Sequence, residues 1–336
     1  MDMFTEALER IFQERATTAV IRHIEGGGSS AELWSDITAS GYMDVLLPEN
    51  DGGADLTLGE AFPLFMLAGK YALPIPFVQT VMARGWLRAH GQAVPQGAIA
   101  IAGPEAHCSD TGGLQAPGVA YGAVADWVLG EFDDAWMMLP CDAAVKEKGE
   151  SRGSQMVDLC WTSIPKTAMV MEKPEVVTCA PAQLAAAALA PLLAGAARQV
   201  LDMTLTHTAQ RKQFGRAIMQ FQSVQAQLSV MAERVWAMRM AAQLVCNAAN
   251  NVPSGRLAAI AKARCSEAAV TVADSAHALH GAIGITEEYD LQLYTRRLRE
   301  WRRASGTETW WACYLGQDVI SETRGTALDY ILSCTK

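Results

Sequence analysis

Between residues 210 and 225 the chain reads Gln-Arg-Lys-Gln-Phe-Gly-Arg-Ala-Ile-Met-Gln-Phe-Gln-Ser-Val-Gln, and three cations, Arg211, Lys212 and Arg216, bracket Phe214-Gly215. Gly215 lets the backbone turn and come close to another group. A rigid aromatic with guanidinium groups beside it suits a ligand with a flat ring and a charged phosphate. The same residues also suit a helix–helix corner, where the glycine breaks a helix, the phenylalanine plugs the core and the cations are solvated. Further along, His280-Gly281-Ala-Ile-Gly284 pairs two glycines that permit close backbone approach to a ligand, or simply cap a helix and turn. Tyr294–Arg303 carries five arginines, which fit a solvated helix face or a phosphate or nucleic-acid patch.

The elements that must position these residues are mostly helices. Leu184 to His207 is rich in Ala and Leu and reads as a buried helix, and Val224, Leu228, Met231, Val235 and Met238 make one apolar stripe at helical spacing. The segments about 182–208, 219–249 and 256–280, with a further helix from about 307 to the end, give an antiparallel bundle, and Asn250–Gly255 reads as a loop. Near Ala98 short β-favouring runs appear (98–102, 127–130, 136–139, 156–161, 169–171), divided by Gly, Pro, Asp and Ser; they predict a small antiparallel β domain ending near Pro181. Before it, residues 2–24 predict one helix ended by Gly26-Gly-Gly28. A second starts near Ala31, and a third starts near Thr57 and stops at Pro74 and Pro76.

A chain of 336 residues suggests two or three domains, and with half its residues hydrophobic it is globular. A net charge of -9 argues against a general nucleic-acid binder. Eight cysteines without a C-x-x-C pair form neither a zinc site nor a disulfide framework; they read as small buried hydrophobes in a reducing cytosol. No metal site is expected. The N-terminus lacks an apolar signal core, and the apolar run Leu184–Ala197 is too short to span a bilayer, so the expectation is a cytoplasmic protein with no membrane partner.

Arg211-Lys-Gln-Phe-Gly215 followed by Phe221-Gln-Ser-Val-Gln225 resembles the C-terminal helical domain of the acyl-CoA dehydrogenase family. The order Leu33-Trp34, Gly41-Tyr42, Leu47-Pro-Glu-Asn-Asp-Gly-Gly53, then Pro74-Ile-Pro76 is similar to the family's N-terminal helical domain. The resemblance implies the family fold: mostly α with a small β domain, divided as an N-terminal helical domain (1–97), a middle β domain (98–180) and a C-terminal four-helix bundle (181–336). It also implies FAD as cofactor. In the family the Arg and Phe of R-x-x-F-G reach across a subunit interface to the neighbour's FAD, and Arg211 and Phe214 match them. His280-Gly-Ala-Ile-Gly284 is similar to the segment Q-x-x-G-G-x-G that contacts the same FAD. Gly281 and Gly284 match, while Ala278 and Ala282 replace the Gln and the second Gly. In the middle domain, the family's T-E-P-x-x-G-S-D loop is echoed only by Gly103–Asp110.

Removing the α-proton of an acyl-CoA takes a carboxylate whose burial raises its pKa toward working pH. In the family this is most often the Glu of E-G-T, and here that position is Ser305 of Ser305-Gly-Thr307. The other place used in the family falls on Ala185 or Ala186. Glu308 is the only nearby carboxylate in the sequence, and it suits the first turn of the following helix. The resemblance therefore implies the shorter, non-catalytic subunit of a heterotetrameric α2β2 enzyme of the steroid side-chain type. A homologous catalytic subunit is its partner and an acyl-CoA its substrate. A self-sufficient homo-oligomer using Glu308 is the second expectation, and a non-redox binding protein on the same fold the third.

Overall fold

The computed structural model describes residues 3–110, 112–149, 153–248, 251–322, 326 and 328–330. Helices α1 (Met3–Arg15), α2 (Thr18–Glu25), α3 (Ala31–Ala39), α4 (Leu58–Lys70) and α5 (Phe77–Ala89) come first. The single helix expected over 2–24 is two, because Thr17 leaves the helical region and its side chain accepts the Val20 N–H. Thr57 caps α4 in a reciprocal capping box with Glu60. α5 was not anticipated. It is buried on every side from Phe77 to Leu87, so no polar face marks its period. Its buried polar groups serve the neighbouring strand: Thr80 Oγ1 accepts from Ile99 N (2.9 Å) and Gln79 Oε1 from Ile101 N (3.1 Å).

Ten strands follow in sequence. Eight of them build the β module: β1 (Ile99–Ile101), β2 (His107–Cys108), β3 (Leu114–Val119), β4 (Trp127–Phe132), β5 (Ala135–Pro140), β6 (Val145–Lys148), β7 (Val157–Trp161) and β8 (Met169–Met171). They form two four-stranded sheets in the orders β1-β4-β5-β8 and β2-β3-β7-β6. The pairing is not purely antiparallel as expected, since β1 runs parallel to β4. In the first sheet Ala100, Val128, Met137 and Leu139 pack on the second sheet. The alternate residues Ile99, Ile101, Leu129, Trp136 and Met138 join the core shared with the helices. Both faces of this sheet are covered, which accounts for its unbroken apolar runs.

The rest is helical apart from a short hairpin: α6 (Pro181–Gln210), β9 (Lys212–Gln213), β10 (Arg216–Ala217), α7 (Gln222–Cys246), α8 (Gly255–His280), α9 (Leu291–Arg303) and α10 (Glu308–Glu322). α8 lies at the centre, in contact with α6, α7, α9 and α10. The helix expected from 307 to the end is described only to Glu322, and the expected loop at 250–255 lies partly outside the described residues.

α6 and α4 cross with their backbones almost touching. A side chain at Gly69 would place its first carbon 2.2 Å from Leu192 O, and one at Gly195 would place it 2.1 Å from Met66 O. The paired glycines make that approach possible, and one core runs through the N-terminal helices and the bundle. α6 is the one described helix long and apolar enough to cross a membrane by length and composition, and 89% of its apolar window is buried inside the protein. Of the described cysteines, Cys141, Cys179, Cys246 and Cys265 are buried as expected, Cys108 and Cys160 partly so, and Cys313 is exposed, against expectation.

Candidate functional site

α6 ends at Gln210, and the chain leaves it through the hairpin β9–β10, whose register pairs Gln213 with Arg216. Only Phe214 and Gly215 remain for the loop. Both take positive φ, 51° and 80°, as a two-residue turn between twisted strands demands. Glycine does this freely, but phenylalanine pays a steric cost of about 1–2 kcal/mol. The strain presents its ring to solvent: Phe214 is 92% exposed. The core-plug reading of this corner is thereby excluded. Arg216 stacks over Phe221, 4.1 Å from the ring centroid.

Arg211 lies on the other side of the hairpin base. Its Nη1 donates to His280 O (2.9 Å), the last carbonyl of α8. Gly281 follows at φ 67° and ψ -145°, a conformation open in practice only to glycine, and a side chain there would stand 3.6 Å from Arg211 Nη1. Arg211, Gly281, the exposed Ala282 and Phe214 thus belong to one outward-facing surface, with the exposed apolar side chains of Ile283 and Ile285 beside it. Gly284 departs from the others. It is buried, and a side chain there would meet His280 Cβ at 2.9 Å and Leu291 Cδ2 at 3.2 Å, so its smallness serves packing.

Under this surface lies a feature the sequence reading missed. His207 of α6 and His280 of α8 stack with ring centroids 4.3 Å apart at 25°, and Tyr289 packs against both. His280 Nδ1 bonds Ala276 O at 2.8 Å, and the Nε2 atoms of both rings are buried without a hydrogen-bond partner. Burial holds both imidazoles below the usual histidine range; Arg211 adds to this at His207, and His207, His277 and lastly Arg211 add to it at His280, where the bond to Ala276 O works against the shift. His207 falls one turn before Arg211 in the sequence, which was the available signal.

Ser305 sits elsewhere, between α9 and α10, at φ 54°. It is buried, its Oγ has no hydrogen-bond partner, and its carbonyl accepts from Trp311 Nε1 (2.9 Å). The loop is held by Lys262, which no reading of the sequence singled out although it interrupts an apolar stripe of α8. Lys262 is fully buried, and its Nζ donates to Arg302 O (2.9 Å), Gly306 O (2.8 Å) and Ser266 Oγ (3.0 Å). Burial pushes its ammonium down to about 7, while these three acceptors favour its charged form. Glu308 begins α10 and pairs with Arg302, which keeps its carboxyl below the usual range. The carboxylate that does approach Ser305 is Glu105. A side chain at Gly103 would place its first carbon 2.6 Å from Glu105 Oε2 and 2.7 Å from Ser305 Cα, so the three groups crowd one spot. Burial pushes the Glu105 carboxyl up. Ala185 and Ala186 are both fully buried in α6.

The arginine run is a solvated face only in part: Arg299 and Arg303 are exposed, while Arg296, Arg297 and Arg302 are partly or fully buried. Arg297 is buried and meets Glu25 (2.9 Å) and Glu300 (3.0 Å), while Arg296 meets Glu25 (2.5 Å) and Arg299 meets Asp274 (2.7 Å). The Glu25 pairs tie α2 to α9 and the Asp274 pair ties α8 to α9, and together they offset much of the positive charge that a phosphate patch would need.

Residues 180–310 match the family model described as acyl-CoA dehydrogenase, C-terminal domain. Beyond that segment, the chain is 26% identical over 302 residues to the acyl-CoA dehydrogenase IpdE2 of Mycolicibacterium smegmatis, spanning 88% of this chain and 91% of that protein. Among solved structures it is similar to the steroid acyl-CoA dehydrogenase Tcur3481–Tcur3483, with 25% identity, a TM-score of 0.80 and coverage of 95% and 96% of the two chains.

Residues 180–310 carry the C-terminal domain of the acyl-CoA dehydrogenase family.

The ChsE4–ChsE5 complex of Mycobacterium tuberculosis shares the fold, with a TM-score of 0.76 at 19% identity and coverage of 96% and 97%. The cofactor of this acyl-CoA dehydrogenase family is FAD. Two places bear on how FAD fits this chain. Where the β module meets the bundle, side chains close the seam: Gly103 abuts Ser305, and buried Tyr121 packs on buried Trp301 with ring centroids 6.3 Å apart. At that seam the residues do not fit a flavin. The Arg211–Phe214–Gly281 surface does fit a flavin dinucleotide approaching from outside. It offers a guanidinium for a diphosphate, a glycine backbone that admits close approach, and a ring held out in solvent.

Proposed function

We propose that this chain is the non-catalytic subunit of a heteromeric, FAD-dependent acyl-CoA dehydrogenase. It pairs with a homologous subunit that supplies the catalytic carboxylate and the main flavin site. The reaction is α,β-dehydrogenation of an acyl-CoA thioester, with a steroid side-chain CoA as the substrate class. One observation carries the reading: Phe214 is 92% exposed at a strained turn beside Arg211, while the residue at the base position is a buried hydroxyl without a partner. A hydroxyl so placed cannot take an α-proton at neutral pH. Tcur3481–Tcur3483, itself named as a pair and as a steroid acyl-CoA dehydrogenase, supports the heteromer and the substrate class.

When bound, FAD would supply the hydride acceptor for the α,β-dehydrogenation, and the partner's carboxylate would take the α-proton. Arg211 would hold the diphosphate, Gly281 would let it approach the backbone, and Phe214 would cover it from solvent. The test is expression of the chain alone and together with a homologous subunit that carries an intact E-G-T. The expected outcome is a colourless, inactive chain alone and a yellow, active complex. A yellow and fully active chain by itself defeats the proposal.

The second reading, a self-sufficient enzyme, is favoured by one observation: Glu105, with its raised pKa, lies against the Ser305 loop. Glu308 suits it less, since Arg302 holds that carboxylate ionised and engaged. Glu105→Gln abolishes dehydrogenation if this reading holds and leaves the complex active if the first one does.

A further inference from the structure

We propose that the stacked pair His207–His280 is a proton-uptake site that tunes how tightly the Arg211 surface holds the diphosphate of a bound dinucleotide. The proposal rests on the reading that Arg211 faces a flavin held by the partner.

The geometry places the pair directly behind the guanidinium. Arg211 Nη1 is fixed by His280 O at 2.9 Å, and Arg211 leaves the helix that carries His207 one turn after it. Two imidazoles stacked at 4.3 Å share one environment, and each keeps a buried Nε2 with no partner. His280 Nδ1 is committed to Ala276 O, so its Nε2 holds the free lone pair. An unpartnered buried nitrogen costs stability unless something is gained in another state. In the anion-bound state one Nε2 takes up a proton, giving one imidazolium stacked on one neutral ring, and the anion at Arg211 supplies the compensating negative charge that the pair otherwise lacks.

Charged and titratable groups face the pair from each element around it. From the end of α6 comes Arg211, and from α8 comes His277, whose Nε2 bonds Thr295 Oγ1 (2.9 Å) and which itself senses Arg299 and Asp274. From the loop before α9 comes Tyr289, with Asp290 next to it bound to Arg22 (2.5 Å). Without an anion the near neighbours are cationic or neutral, and together with burial they keep the pair unprotonated at neutral pH. A diphosphate on Arg211 reverses that balance and raises the affinity of the pair for a proton. The complex then binds more protons than the flavin-free assembly. By linkage, dinucleotide affinity rises as pH falls through the window between the two states. These are positioning residues, acting through Arg211.

The experiment uses the flavin-loaded assembly isolated from its native cells through a tag on this chain. FAD affinity is measured from pH 8 to pH 6 by flavin fluorescence after stripping and reloading. The expected result is a roughly tenfold gain in affinity for each unit by which the pair's pKa rises on binding. His207→Phe and His280→Phe, which keep the stack and the His280 carbonyl contact, flatten the profile. Arg211→Ala weakens binding at every pH. If Arg211→Ala weakens binding while both Phe variants keep the full pH slope, the histidine proposal falls and the function reading stands. If Arg211→Ala changes nothing, both fall. Should the Phe variants fail to fold, calorimetry of FAD binding to the stripped wild-type assembly at pH 7 decides the matter. Repeating it in buffers of different ionisation enthalpy must show proton uptake, and its absence overturns the inference.

Discussion

Arg211 and Phe214 are spaced three residues apart, yet they are held by different means. Arg211 is tied to His280 O at 2.9 Å, whereas Phe214 has only an edge contact with Phe221, with centroids 6.2 Å apart. The contrast separates their mutational effects. Arg211→Ala removes a charge-assisted contact and is expected to weaken flavin retention in the complex by roughly 1.5–3 kcal/mol, read as flavin content after gel filtration. Phe214→Ser leaves the thermal stability of the chain alone within about 0.5 kcal/mol, because its ring is solvated, and lowers flavin retention on assembly. A large loss of stability in the lone chain would place the ring in the core instead. The turn at Phe214-Gly215 was legible in the sequence because a glycine between two helical periods marks a break, but the exposure of Phe214 was not, and the flavin role proposed for Arg211 and Phe214 rests on the family resemblance. Lys262 and His207 were not legible either, since each sits inside a helical stripe where the pattern shows only periodicity. Lys262→Met leaves Arg302 O and Gly306 O unpaired in the interior and is expected to cost about 2–5 kcal/mol, measurable as a lowered melting temperature.

The helices α2 and α9 are joined by charges that the sequence could not pair, since Glu25 and Arg297 lie far apart in the chain. Arg297→Met leaves Glu25 and Glu300 facing each other without their buried cation. The expected cost is about 3–5 kcal/mol in denaturant unfolding, whereas Arg299→Met, in a pair with both side chains 58% exposed, changes stability by less than about 1 kcal/mol. α5 and the edge strand β6 show two limits of periodicity. α5 has no solvent face, and the four residues of β6 are all exposed, so neither alternates in the way a pattern search requires. α6, α7 and α8 were found because each combines an apolar stripe with a clear stop: the Gly215 turn, the polar stretch after Cys246, and Gly281. The β-favouring runs located five of the strands. Pairing partners and the parallel β1–β4 edge depend on contacts between distant segments and could not be read.

At the scale of the whole molecule, chemistry and exposure are divided between two sides. The Ser305 side is closed and braced, while the Arg211 side is open and carries Phe214, Ile283 and Ile285 in solvent. Such an arrangement is expected of a chain completed by another: native mass spectrometry of the tagged assembly should show the 36.1 kDa chain together with a second polypeptide, and a self-associated chain alone would count against it. The crossing of α4 and α6 at Gly69 and Gly195 bears on the molecule in another way. Replacing either glycine by alanine forces a carbon into backbone atoms and is expected to cost more than the roughly 1–3 kcal/mol of ordinary overpacking, lowering the melting temperature by several degrees. Because that crossing welds the first helices to the last, the three-part division suggested by texture does not describe units that come apart. A fragment starting near residue 181 would lay bare the alanine-lined groove that α4 fills, and would precipitate instead of folding. Shuffling the leading hundred residues between relatives would succeed only where the groove is matched glycine for glycine.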